Sequence, residues 1–172
     1  MLTFRFADEN DCGKILEFIR ALADYEKMSD EVVATEEILR EWLFEKKKAE
    51  VIFALDGEKE VGFALFFHNF STFLGRAGIY LEDLYVRPSY RGKGYGKALL
   101  TKLAQIAVTR GCGRLEWACL DWNRPSIDFY KSLGAVPMEE WTVYRVSGKT
   151  LEEMAGHGGG ANSEAAAGKG DE

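Results

Sequence analysis

The residues that build metal centres are scarce in this chain. It has two histidines, His68 and His157, and three cysteines, Cys12, Cys112 and Cys119. No two cysteines stand in C-x-x-C spacing, so a zinc site is not expected. A sparse, odd cysteine count suits a reducing compartment, and a cytoplasmic location is expected. No apolar run reaches the ~18 residues of a membrane span, and the opening Met1-Leu-Thr-Phe-Arg-Phe lacks the basic, apolar, small-residue order of a signal peptide. Nor is there a surplus of positive charge. Twenty-two Lys and Arg against 28 Asp and Glu leave a net charge of −6, which argues against a nucleic-acid partner and suits an attraction for cations. Large apolar residues are missing from Gly156 to Glu172, so that tail is expected to be disordered. No internal repeat is visible.

What remains is rich enough to fold. With 47% hydrophobic and 13% aromatic residues, positions 1–155 are expected to form one domain with a real core. Leu2–Phe6 reads as a strand. Asp8 can cap a helix whose apolar face is Ile15, Leu16, Ile19, Leu22 and Ala23. Thr35 can cap a second, with Ile38, Leu39, Trp42 and Leu43 as its buried face. Lys46–Lys48 suits its solvated end. Glu50–Leu55 and Glu60–Phe67 flank Asp56-Gly57 and read as a hairpin, followed by a loop at Asn69–Gly75. Arg114–Leu120 is another strand. Asn123–Leu133 is a short helix with Pro125 in its first turn and Gly134 at its end. Strands are expected at Val136 and Thr142–Val146, and a helical turn at Leu151–Ala155. The order β-α-α-β-β-β-α-β-α-β-β implies an α/β (α+β) fold with helices on both faces of a mixed sheet.

The chain is organised around Tyr80–Gln105. Tyr80–Val86 is strand-like, Pro88 and Ser89 end it, and a basic glycine turn follows, Arg91-Gly92-Lys93-Gly94-Tyr95-Gly96-Lys97. Leu99, Leu100, Leu103, Ile106 and Ala107 then mark one helix face. Strand, glycine turn and helix make an anion site, because the first helical N–H groups lack partners and glycines allow close approach. Arg91, Lys93 and Lys97 add charge there. The letters do not make a P-loop, since Ala98 follows Lys97. They do not make a dinucleotide fingerprint, since Leu99 stands where the third glycine belongs. Gly92, Gly94 and Gly96 do spell the G-x-G-x-G of many methyltransferases, but too late in the strand order.

Arg91-x-x-Gly94-x-Gly96 after V-R-P-x-Y resembles the acyl-CoA pyrophosphate loop of the GNAT N-acetyltransferases. Asn123-Arg-Pro-Ser126-Ile-Asp-Phe129-Tyr130-Lys131-Ser-Leu-Gly134-Ala resembles that family's second CoA segment. Tyr25-Glu26, Tyr80-Leu-Glu82-Asp83 and Trp122-Asn123 resemble its diamine (spermidine/spermine) acetyltransferases. The resemblance covers about residues 3 to 155. It implies the GNAT fold, a mixed, mostly antiparallel sheet splayed after the central strand, with acetyl-CoA as co-substrate and no metal. It also implies a homodimer, for which an unpaired Thr142–Val146 edge would offer a surface.

The implied reaction is acyl transfer to a primary amine of a small diamine or polyamine, by direct attack in a ternary complex. Gly92, Lys93, Gly94, Tyr95, Gly96 and Lys97, with Arg91, would hold the pyrophosphate. The backbone of Leu84, Tyr85 and Val86 would lie along the pantetheine arm, with Asn123, Pro125 and Ser126 on the other side. Taken alone, Asn123 suits a plain helix cap. Glu82 is the expected acceptor of the ammonium's proton, on strand alternation facing away from Asp83; a structural pairing with Arg or Lys is the other reading. Tyr130 is the expected acid for the leaving thiolate, with core packing as its alternative. Tyr25, Glu26, Glu82, Glu116 and Glu140 would line the amine site. Phe73 stands where the subgroup often has Trp, and Glu116-Trp117-Ala118 also departs from it, so the particular amine stays open among diamines, spermidine and a lysine-like thioether. A non-catalytic acyl-CoA-binding module is the second reading of the whole chain.

Overall fold

The computed structural model describes residues 1–156, in two compact units that divide after Asn123. The expectation for the tail therefore lies outside the described residues, apart from Gly156.

The first unit is built on a five-stranded sheet in the order β1-β2-β3-β4-β5. The strands are β1 (Leu2–Phe6), β2 (Glu50–Asp56), β3 (Lys59–Ser71), β4 (Arg76–Val86) and β5 (Leu115–Trp117). Neighbours are antiparallel except β4 and β5, which run parallel. The hairpin turn is Gly57-Glu58, since Asp56 pairs with Lys59. Gly57 sits at φ 66°, a conformation that glycine adopts without steric cost. β3 is longer than its letters suggest. Asn69 and Ser71 continue to pair with Gly78 and Arg76, so the expected loop shrinks to residues 72–75.

Helix α1 (Cys12–Tyr25) covers one sheet face. Its entry is a tight turn at Glu9–Asp11, where Asp8 and Asp11 cap each other's backbone N–H groups. Phe18, which the helical stripe omitted, is its main anchor. It is 1% exposed, stacks on Phe63 at 5.1 Å between ring centroids, and meets Phe53 and Tyr85 as well. Ile19 is only half-buried.

Thr35 caps α2 (Glu36–Arg40) as expected, accepting from the Ile38 N–H. The helix then widens over Glu41–Glu45 into a turn closed by Lys46 N–H donating to the Glu41 carbonyl, five residues back. Leu39 and Leu43 are buried, but Ile38 and Trp42 are exposed, correcting the expectation. Lys46 lies over the Trp42 ring and pairs with Glu41. Helix α3 (Tyr95–Thr109) covers the other face with Leu99, Leu100, Leu103, Ile106 and Ala107, the stripe expected from sequence.

The second unit holds α4 (Arg124–Ser132) and α5 (Gly148–Met154). Gly134, at φ 85°, ends the α4 segment, its N–H donating to the Lys131 carbonyl. The strands expected at Val136 and Thr142–Val146 do not form, as positions 136–147 carry no ladder. Their alternation of branched and polar residues fits a strand only when a neighbouring edge completes the hydrogen bonds. Val143 and Tyr144 are exposed instead.

Arg5 fastens three elements at the sheet's other edge. Its guanidinium donates to both oxygens of Asp11, at 2.7 and 2.9 Å, and to Glu60 at 2.8 Å, while lying over the Phe53 ring. These bonds hold the Asp11 and Glu60 carboxyls below the usual range. Because the site is partly open to water, Arg5→Leu is expected to cost about 1–2 kcal/mol. Thermal unfolding should show a midpoint lower by about 3–6 °C.

Candidate active site

The site begins where the sheet opens. β4 and β5 pair only over Ile79–Leu81 and Leu115–Trp117. From Glu82 to Val86 β4 keeps β3 on one side, and among the described residues no strand lies on the other. Leu84, Tyr85 and Val86 thus stand on a strand segment with one open edge, which can accept an extended ligand as an added strand.

One extra residue sits in that segment. Leu65 pairs with Asp83 and Phe66 with Leu81, which leaves Glu82 without a counterpart. Such a bulge breaks alternation and re-aims side chains. The regular alternation expected of Glu82 and Asp83 is interrupted there. Phe63 with Tyr85, Leu65 with Asp83, and Phe67 with Tyr80 pair on the α1 side. The charge of Glu82 adds to the rise at both Asp83 and Tyr80. Glu82 is exposed and Asp83 half-buried. Burial, with the charges of Glu82 and Glu26 added, pushes Asp83 up to about 6. Glu26, at the C-terminal end of α1, is raised by burial as well. The Cys119 thiol is raised by burial and by Glu26. Among the described residues no Lys or Arg forms an ion pair with Glu26, Glu82 or Asp83. The structural-pairing alternative for Glu82 thus has no cation to support it there.

The glycine turn follows β4. Gly92 and Gly94 take positive φ, 77° and 80°, and Gly94 precedes α3 with no side-chain cap. The first N–H groups of α3 are presented there without a competing side chain. Gly96 is inside the helix with ordinary φ and open space around its absent Cβ, so the fold itself does not require a glycine there. Arg91 has turned inward. Its Nε donates to the Val86 carbonyl at 2.9 Å, and its guanidinium lies over the rings of Tyr25 and Tyr85. Lys93 and Lys97 remain as the turn's outward cations, Lys93 over the Tyr90 ring beside Lys59. Tyr95, at the start of α3, donates its hydroxyl to Asp56.

Tyr25 also donates to Asn123 Oδ1 at 3.4 Å, and Asn123 is buried. Glu116 accepts from Asn69 and pairs with Arg114, so its charge is partly neutralised. Pro125, Ser126 and Tyr130 lie on α4 in the second unit, where Tyr130 packs against Phe129 at 5.5 Å between centroids. Glu140 is exposed in the irregular segment after it. The structure thus brings Tyr25, Asn123, Tyr85 and Arg91 together, and Glu26 with Asp83 and Glu82. Asp83, to which the sequence assigned no role, stands half-buried in the register opposite Leu65.

A half-open central strand, a bulge and a glycine turn running into a helix are joined by a direct match. The family model of the acetyltransferase (GNAT) family covers residues 6–135. The chain belongs to the GNAT acetyltransferases. Thialysine N-epsilon-acetyltransferase of Bos taurus is 43% identical over 164 residues, covering 88% of this chain and 96% of that protein. Spermidine/spermine N(1)-acetyltransferase-like protein 1 of Homo sapiens is 33% identical over 162 residues, 88% of this chain and 23% of that protein. An integron cassette protein from the mobile metagenome of V. cholerae superposes with a TM-score of 0.76 at 32% identity, covering 90% of this chain and 97% of that one. This GNAT enzyme is an amine acetyltransferase, and acetyl-CoA is the co-substrate of its family. Among the described residues no cluster of His, Cys, Asp or Glu is placed to hold a metal, and no helix is long and apolar enough to cross a membrane.

Two outcomes test this geometry. Gly94→Ala should lower both thermal stability and acetyl-CoA affinity, because it strains the turn. Gly96→Val should lower affinity while costing little stability, because only the ligand needs that space; calorimetric titration beside a melting curve separates them. For Asp83, a folded-state value raised from 3.8 to about 6 favours the protonated form. Its contribution to stability is thus greatest below about pH 4 and is lost as pH rises to about 6. Asp83→Asn should stabilise the protein by about 2–3 kcal/mol at pH 7 and by almost nothing at pH 4, read from denaturant melts at both values.

Proposed function

We propose that this enzyme transfers the acetyl group of acetyl-CoA to a primary amine of a small diamine, polyamine or lysine-like substrate, by direct attack in a ternary complex. The observation that carries the reading is the open edge of β4 beyond Leu81, with unpaired carboxylates on its bulge and a glycine turn at its end. Thialysine is a lysine-like amine, and the names of the relatives in Bos taurus and Homo sapiens point to amines of this class.

The open edge receives the pantetheine arm beside Leu84, Tyr85 and Val86, and an N–H of that edge stabilises the oxyanion. The N–H groups from Gly92 to Lys97 take the pyrophosphate. Asn123, Pro125 and Ser126 complete the cofactor site. Arg91 contributes by bracing Tyr25, Tyr85 and the Val86 carbonyl.

An alkyl ammonium, with a pKa near 10.4, is neutral in only about one molecule in a thousand at pH 7. Removing its proton there costs about 4 kcal/mol, and the carboxylates Glu26, Glu82, Glu116 and Glu140 hold the cation, with Glu82 accepting the proton. Tyr130 donates a proton to the leaving thiolate. The enzyme works as a homodimer in the cytoplasm.

A panel of thialysine, lysine, ornithine, putrescine and spermidine, scored by free-thiol release, tests the substrate class. Tyr130→Phe should lower turnover by ~10²–10⁴ with acetyl-CoA affinity unchanged. Wild-type turnover in that variant, with chemistry rate-limiting, would make Tyr130 a packing residue.

A further inference from the structure

A cation stands at the end of α1 with no carboxylate to answer it. We propose that Lys27 takes the carboxylate of a lysine-like substrate, and so selects amino acids with a terminal amine over plain diamines and polyamines. The inference rests on the reading above, that the chain acetylates a primary amine, and narrows its substrate class.

The lysine occupies a position that suits glycine. Met28 N–H donates to the Ala23 carbonyl and Lys27 N–H to the Asp24 carbonyl, bonds that close a helix through a left-handed residue. That residue is Lys27, at φ 61°, where glycine would sit without steric cost. Strain alone decides nothing, because Lys47, at φ 52°, is left-handed as well. The side chain separates the two. Lys27 places its Nζ over the exposed Trp122 ring, 5.5 Å from the centroid, while among the described residues no ring or acid fixes Lys47. Trp122 precedes Asn123, which accepts from the Tyr25 hydroxyl. The tyrosine and the lysine thus join the end of α1 to one short stretch. The indole face holds the ammonium while its N–H donors stay open to an acceptor.

Glu26 and Lys27 are neighbours in sequence yet do not neutralise one another. Among the described residues no carboxylate forms an ion pair with Lys27. Burial raises the Glu26 carboxyl, and no cation offsets that rise. The turn parts an acid from a base. Glu26 is half-buried, its charge felt at Asp83 and Cys119, and Lys27 is exposed over its indole. A lysine-like amino acid has the matching pattern, a cationic amine at one end of an apolar chain and a carboxylate at the other. Near acids that hold the amine, that carboxylate is repelled unless a cation meets it. Arg114 is paired with Glu116, and Arg91 gives its Nε–H to the Val86 carbonyl and lies over two rings. Lys27 keeps its charge for a ligand.

Steady-state kinetics with lysine, lysinamide and cadaverine test the assignment in the full chain. Lysinamide keeps the α-ammonium but not the carboxylate charge, and cadaverine lacks both groups. The wild type should prefer lysine to either. Lys27→Met should raise the lysine KM about fivefold with kcat little changed, and move the other KM values by less than about twofold. Lys27→Arg should keep the preference, and Lys27→Glu should turn it toward cadaverine. Lys27→Gly removes the strain together with the charge, so it should melt no lower than the wild type and still lose lysine selectively. Acetyl-CoA affinity, read by calorimetry, should hold in every variant. The inference is overturned if the wild type uses cadaverine and lysinamide at least as well as lysine, if Lys27→Met weakens all the substrates alike, as a role confined to closing the helix would, or if Lys27→Glu leaves the preference unmoved. Each of those results leaves an amine acetyltransferase standing. A wild type that binds acetyl-CoA yet acetylates no primary amine defeats the underlying reading and this inference with it.

Discussion

A sheet cannot absorb an odd residue silently. When β4 carries one residue more than β3 can pair, every side chain before that point is displaced by one step relative to those after it. In this enzyme the odd residue is Glu82. Tyr85 keeps its place against Phe18 and Phe63 on one side of the step, and Leu81 keeps its place opposite Phe66 on the other. The adjustment is left to Glu82 and Asp83, which come to lie together at the point where β5 stops following β4. Core packing on both sides of the step fixes the site between them.

That arrangement runs against local stability. A half-buried Asp83 beside the charges of Glu82 and Glu26 has no basic partner among the described residues, whereas Asp11, Glu60, Glu17 and Glu50 each have one. Arg5 serves Asp11 and Glu60, Arg87 holds Glu17, and Arg110 takes both oxygens of Glu50. The contrast within one unit separates carboxylates that brace the fold from carboxylates with no cation beside them. Strain of this kind is a common mark of a working site.

Much of this was legible in the letters. The α3 stripe from Leu99 to Ala107, the Thr35 cap, the first hairpin and the turn from Arg91 to Lys97 each depend on local chemistry, and each is present. The rest depended on facts that no local pattern holds. Phe18 is invisible as an anchor until Phe53 and Phe63 arrive from other strands. Ile38 with Trp42 and Leu39 with Leu43 satisfy the same helical spacing, and only the neighbours in space decide that the second pair is the buried one. Asp83 and Glu82 followed a period of two until a register shift cancelled it. The letters of Thr142–Val146 suit a strand, yet a ladder needs an edge to pair with, and the segment does not form one.

The inward turn of Arg91 also bears on how an anion is recognised at the loop. Its guanidinium lies over two aromatic faces and gives its Nε–H to one carbonyl, so the backbone amides of Gly92 to Lys97 share the loop with the outward cations Lys93 and Lys97. Amides carry direction but no net charge. They select an anion by the angles between its oxygens, while the lysines respond to its total charge. Salt screens the pull of the lysines but leaves the direction of the amides, so selection by shape persists where attraction by charge has faded.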